Sequence, residues 1–381
     1  MAASIVPAIV PFRLPSSRIN WTNSAFLMGT AFLTCTAVPY YLWRFGVDWF
    51  QVSMFLGFFI ATGLSITLGY HRLFAHKAFE ARSPVRLLTL LFGAAAFENS
   101  VMAWVSDHRR HHKHVDSDND PYDISKGFWH AHIGWILFRL EPEPPWDNIT
   151  DLRRDRLVVL QEQYYVLIAV TVGFVVPMIL GYLHAGWLGA LGGLLLAGVA
   201  RVVAVQHMTF FINSLCHTLG RQPYSDRCSA RDSALMAIFT FGEGYHNYHH
   251  EFQHDYRNGV KWWQWDPTKW TIWTLAKLGL ASDLRRVTEE KVLLFQLVEV
   301  RRRLEERLAC QVSPLSTRTR QLLQDSRTKL HQLGDRWTVL KAEYAEKTDV
   351  QIVHARAALA EIRAEIRLAF ELLDQASAMP A

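Results

Sequence analysis

Apolar residues gather into four runs, at about 24–43, 49–70, 164–183 and 187–212. Each approaches the about 20 residues that a helix needs to cross a bilayer. The links inside each pair are short, 44–48 and 184–186, so the pattern predicts two helical hairpins. A fifth apolar stretch, 87–105, is interrupted by Glu98, Asn99 and Ser100 and reads as a buried or interfacial helix. Past residue 284 the pattern changes. Leu293, Leu297, Val300, Leu304 and Leu308 recur at spacings of three and four among dense alternating charges, and Ser313-Pro314-Leu315-Ser316 restarts a helix. The expected architecture is an all-α integral membrane protein. Four spanning helices would carry a cytoplasmic helical cap over residues 1–282, and 283–381 would form a charged helical hairpin or coiled coil.

Charge sets the orientation. Lys and Arg crowd the segment 71–163 and everything after Arg221, whereas the two hairpin links carry only Arg44. The positive-inside rule then puts both termini, and with them the histidine-rich segments 71–163 and beyond Arg221, on the cytoplasmic side. The net charge of +5 is modest and does not point to nucleic acid. Cys35, Cys216, Cys228 and Cys310 form no CXXC pair, so neither a disulfide framework nor a cysteine metal site is expected. The N-terminal residues lack the charged-then-apolar order of a cleaved signal peptide.

The chemistry lies in histidine. Eight of the 17 histidines fall in three clusters: His71 and His76 as HX4H; His108, His111 and His112 as HXXHH; His246, His249 and His250 as HXXHH. Residues three and four apart share a helix face, and a neutral imidazole binds first-row metals. Eight ligands exceed what one ion takes, so two metal ions are expected. Iron, zinc, copper and nickel all accept such ligands, and the residues alone do not choose among them.

Longer motifs surround the clusters. They are Gly69-Tyr70-His71-Arg72-Leu73-Phe74-Ala75-His76, then Asp107-His108-Arg109-Arg110-His111-His112-Lys113 with Asp118-Asn119-Asp120-Pro121, then Gly242-Glu243-Gly244-Tyr245-His246-Asn247-Tyr248-His249-His250, and Asn213-Ser214-Leu215-Cys216-His217. From Trp21 to Lys261 the chain resembles the membrane fatty acid desaturases, and within them the stearoyl-CoA desaturase type. That resemblance implies a diiron centre held by nine histidines, His217 being the ninth, with Asn213 reaching one metal through water. It implies oxygen-dependent removal of two hydrogens from an unactivated acyl chain, which is beyond side-chain acid–base chemistry; a metal centre working with O2 must supply the oxidant. A Δ9 cis double bond and an acyl-CoA substrate follow from the same likeness. So do substrate-binding roles for Asn23, Asn99, Trp104, Asp107, Trp135 and Arg139.

Two positions depart from the animal members of that type. Ser106 stands where they carry a CoA-contacting arginine, and Leu140 where they carry lysine. Each lost charge-assisted contact weakens CoA binding by about 1.5–3 kcal/mol. Acyl-lipid and acyl-carrier-protein substrates therefore stay open beside acyl-CoA. Phe55, Phe58 and Phe59 are candidates for the closed end of an acyl tunnel. No heme motif, dinucleotide loop or iron–sulfur pattern is present, so electrons would come from a separate ferredoxin or cytochrome b5-type protein. Arg109, Arg110, Lys113 and Lys126 offer a basic docking face, and the C-terminal helices could serve self-association or donor docking. The alternatives are a related histidine-box lipid hydroxylase, alkane hydroxylase or ketolase, or a metal transporter. Ligands of a transporter usually lie near the bilayer midplane, and here only His207 is placed that deep.

Overall fold

The computed structural model describes residues 18–139 and 146–309 and isolated positions beyond. Helices dominate, and the sheet is a two-residue antiparallel pairing of Glu80–Ala81 with Ala281–Ser282. The described residues fall into two compact units. One lies within Met1–Tyr70 and Arg86–Ser214, the other within His71–Val85 and Leu215–Ala381.

Three helical stretches are long and apolar enough to cross a membrane: Trp21–Phe45, Trp49–Ala75 and Tyr165–His217. The turn before the second is closed by a capping box, in which the Asp48 carboxylate accepts from Gln51 N at 2.8 Å and Gln51 Oε1 accepts from Asp48 N at 3.2 Å. The third stretch has 53 residues, about 80 Å if straight. It is not straight. Ala185 leaves helical geometry and Gly186 takes φ +60°, a conformation that glycine adopts without penalty. The chain doubles back there so tightly that a Cβ on Gly181 would collide with the Gly189 carbonyl. The break falls where the sequence predicts the 184–186 link.

Arg201, on the returning arm, is fully buried. Its guanidinium donates to the carbonyls of Ala95, Gly173 and Ala197. Arg201 thus ties three backbone segments of the first unit together. Arg201→Met would strand buried carbonyls at about 1–3 kcal/mol each. We expect a thermal midpoint in detergent lowered by several degrees, read by loss of monodisperse protein.

The second helix continues past residue 70, as a π-helix over Ser65–Ala75. In the second unit, Tyr224, Tyr248, Phe252 and Val292 form a buried cluster with Val260, Val287 and Phe295 packed against it. Val292 and Phe295 belong to the helix Glu289–Ala309. Part of the segment expected as an appendage is thus core of this unit. The predicted hairpin or coiled coil beyond it lies almost wholly outside the described residues, as does Leu140.

Candidate metal centre

The π-helix explains the first histidine spacing. In an α-helix, positions five apart face about 140° away from each other. Here His76 N donates to His71 O at 3.1 Å, the i→i+5 bond of a π turn. That wider turn returns His76 to the side of His71, with ring centroids 4.7 Å apart. His249 completes the group: its Nε2 lies 3.0 Å from His71 Nε2, and its ring centroid 4.6 Å from that of His76.

A second group forms in the same unit. His246 Nε2 lies 3.1 Å from both His217 Nε2 and His250 Nε2. The short helix His246–Glu251 that supplies these rings has no side-chain cap from its own N-cap residue. Asp232 substitutes from a loop, accepting from Tyr248 N at 3.0 Å. Asn247 faces away from the histidines: its side chain accepts from Tyr224 N and donates to the Ser225 and Ala230 carbonyls.

Both groups suit a cation. Where the far nitrogen of each ring carries the proton, facing lone pairs at 3 Å repel unless a positive centre sits between them, and on His71 and His217 that far nitrogen lies against a partner. His71 Nδ1 lies 2.9 Å from Glu243 Oε2, and His217 Nδ1 2.7 Å from Ser229 Oγ. Such partners fix the tautomer and aim the other nitrogen at a metal. Burial, joined by the neighbouring histidines, holds His249 well below its usual range and hence neutral, the ligating form. Glu243 is buried, which alone would push it up; Arg72 and His71 outweigh that and keep it an anion. Arg72, itself buried, grips Glu243 Oε1 at 2.8 Å and both Asp266 oxygens at 3.0 and 3.1 Å. Asn258 Nδ2 reaches Glu243 Oε2 at 2.6 Å.

The second box lies in the first unit, on the helix Val101–His114 capped by Ser100. His108 and His112 rings are 4.6 Å apart, and His111 and His112 rings 5.5 Å. His111 Nδ1 is held by Asp120 at 2.8 Å. Burial raises that carboxyl, but His111 pulls it below its usual range, so it stays ionised. Glu243, Asp120 and Ser229 are the residues that reasoning from histidine spacing misses. The signal for two of them was a carboxylate flanking each HXXHH box.

A cleft in the first unit is lined by Asn23, Asn99, Trp104, Trp135, Asn213 and His108, with Phe26, Phe97 and Phe210. Asp107 and Arg139 do not line it. Asp107 is buried, and burial pushes it up to about 7 against the pull of Arg110; Arg139 is exposed. Phe55, Phe58 and Phe59 do not line the cleft either. Ser106 is fully buried and paired with Asn148, Oγ to Oδ1 at 2.9 Å. Arg109 and Arg110 do not form the expected basic face. Arg109 is spent on Asp151 at 2.8 and 3.0 Å, and Arg110 is buried with its Nε on the Asn119 carbonyl at 2.7 Å.

Glu98 also lines the cleft. Burial pushes its carboxyl up to about 8, with Thr209 and Trp104 drawing it partly back. Below that pH the cleft carries a neutral acid. The unfolded chain releases this proton near pH 4.5, so the native state binds one more proton between 4.5 and 8, and stability falls as pH rises across that window.

These observations define a class: a helical membrane protein with buried histidine clusters built to hold metal. The fatty acid desaturase family profile matches residues 48–281. Acyl-CoA desaturase 1 of Saccharomyces cerevisiae is 41% identical over 284 residues, covering 72% of this chain and 53% of that protein. Human stearoyl-CoA desaturase is 33% identical over 291 residues, covering 73% and 78%. The sn-1 stearoyl-lipid 9-desaturase of Anabaena variabilis is 34% identical over 271 residues, covering 70% and 94%. The chain belongs to the fatty acid desaturase family. It spans about half the length of the yeast proteins it matches.

Proposed function

We propose that this protein is an oxygen-dependent acyl desaturase that introduces a cis double bond, at Δ9, into a saturated chain carried as acyl-CoA. The observation that carries the reading is the pair of three-histidine groups, His71/His76/His249 and His217/His246/His250, with nitrogens turned inward and Glu243 and Ser229 behind them. Two irons fit this all-nitrogen donor set, completed by His108, His111 and His112, with Asn213 contributing through water. When bound, the iron pair supplies the oxidant with O2 as co-substrate. Two hydrogens from the chain, two electrons and two protons balance reduction of O2 to two waters. The electrons come from a separate ferredoxin or cytochrome b5-type donor.

The protein's own part is placement. Phe26, Phe97, Trp104, Trp135 and Phe210 offer an acyl chain apolar walls that exclude water. Asn23 and Asn99 sit in the same cleft to receive polar atoms of the thioester carrier. Asp107 and Arg139 would act outside it, on the CoA head. In the membrane we read four crossings, with the fold at Ala185–Gly186 splitting the 53-residue stretch, and both termini cytoplasmic. Relatives that carry CoA and lipid names match at similar identity, so an acyl-lipid substrate is the second reading. Stearate offered to the metal-loaded protein as CoA ester or as phospholipid, with reductant and O2, tests both. Oleoyl product from the CoA ester supports the proposal; product from phospholipid alone overturns the carrier, and hydroxylated product overturns the reaction.

Glu98 adds a pH signature. As pH rises from 7 to 9, an anion forms in a cleft meant for an acyl chain, and KM for substrate should climb about tenfold. Glu98→Gln should flatten that rise without lowering kcat at pH 7. An unchanged KM profile in the variant would remove Glu98 from the substrate cleft.

A further inference from the structure

The second unit carries an aromatic surface that the metal site does not use. Trp262, Trp263, Trp265, Trp270 and Trp273 are 85%, 60%, 46%, 38% and 53% exposed. The last two sit on one face of the helix Pro267–Lys277, whose other face buries Thr268, Lys269 and Ile272. Lys261 Nζ lies 5.4 Å from the Trp263 ring centroid, and Lys277 Nζ 5.4 Å from that of Trp273. Arg286 joins Lys261, Trp262, Trp263, Trp270 and Trp273 in lining one open groove, where Glu289 is the lone acid.

A soluble surface rarely exposes so much contiguous indole. Tryptophan beside lysine is the signature of the headgroup layer, where the ring lies among glycerol and carbonyl groups and the ammonium meets phosphate. Chain continuity supplies the second argument. Two candidate spans, Trp49–Ala75 and Tyr165–His217, end within this unit, so both of its entries start at the end of a membrane helix. The segment is also pinned by hydrogen bonds. Asp266 caps the helix through Lys269 N at 2.9 Å and takes Arg72, while Lys269 Nζ is consumed by the carbonyls of Gly259, Lys261 and Gln264.

We infer that residues 261–277 form a headgroup-binding face that seats the second unit on the bilayer and prefers anionic phospholipid, with phosphate drawn to Lys261, Lys277 and Arg286. This goes beyond the desaturase reading and does not depend on it.

The full chain in nanodiscs containing photoactivatable phosphatidylglycerol or phosphatidylcholine tests the inference, with crosslinks mapped by mass spectrometry. Peptides within 262–277 should label at least fivefold above the exposed segment 117–119. Lys261→Gln/Lys277→Gln/Arg286→Gln should cut phosphatidylglycerol labelling at least threefold and leave phosphatidylcholine labelling unchanged. No enrichment of 262–277 with either lipid would overturn the headgroup face, as for a surface that docks protein. Equal labelling by both lipids, unmoved by the charge variant, would overturn the anionic preference. An unchanged thermal midpoint in the triple variant keeps these outcomes separate from misfolding.

Discussion

Glu243→Gln is expected to lower bound metal and desaturation by about 10–100-fold while the protein stays folded. Glu243 serves two partners with its two oxygens: Oε2 stands behind His71 and accepts from Asn258, and Oε1 accepts from Arg72. Glutamine keeps the shape and one acceptor but loses the anion that fixes His71 as a donor at Nδ1. Without it, the His71 nitrogen facing His249 loses basicity and direction. Glu243→Ala should behave differently. It leaves Arg72 buried with only Asp266 to compensate it, a loss of about 3–5 kcal/mol that few proteins of ordinary stability tolerate well. The sign of the pH effect follows from the same contacts. Arg72 and His71 hold Glu243 below its ordinary value, so its contribution is present above about pH 4.5 and is lost as pH falls through the folded value. Iron per chain by elemental analysis, with thermal unfolding alongside, separates loss of metal from loss of fold. Full metal and full turnover in Glu243→Gln would remove Glu243 from the support of His71.

The sequence made the histidines easy to find because their spacing is a geometric statement. HXXHH places three rings on one face of any α-helix, and His108, His111 and His112 do lie on one helix, Val101–His114. HX4H does not fit an α-helix, and the π turn that rescues it leaves no mark in residue type. Hydropathy located each apolar run. The third and fourth runs merge into one long stretch because only Ala185 and Gly186 separate them, and a single glycine is a weak signal among so many. Support residues were harder still. Glu243 flanks the third box in the sequence, but its role exists only because Arg72 and Asp266 meet it in a buried network. Arg109 and Arg110 misled for the same reason: charge counts say nothing about Asp151 or the Asn119 carbonyl that consume them.

The helix Glu289–Ala309 gives the other large effect. A chain ending at residue 309 should keep its metal and activity, whereas one ending at 284 should lose both by more than tenfold. The removed helix carries Val292 and Phe295 onto Tyr224, Tyr248 and Phe252, and Leu297 is fully buried. Large apolar side chains contribute about 1.5–3 kcal/mol each when buried, so their joint loss rivals the about 5–15 kcal/mol that holds a folded domain together. The damage falls on the third histidine box. Tyr248 and Phe252 flank His249 and His250 in sequence, Tyr248 donates its hydroxyl to Asp255 at 2.8 Å, and Asp255 also accepts from Val287 N at 2.8 Å. Arg257 closes the loop, gripping Asp255 and donating to the Val287 carbonyl at 3.1 Å. Cutting at 284 removes Val287 from both bonds and opens the aromatic cluster to water in one step. Iron content, product yield and thermal midpoint of the two truncated chains, compared with the full chain, read the effect. A chain ending at 284 that keeps its iron would make this helix an accessory rather than the wall behind the box.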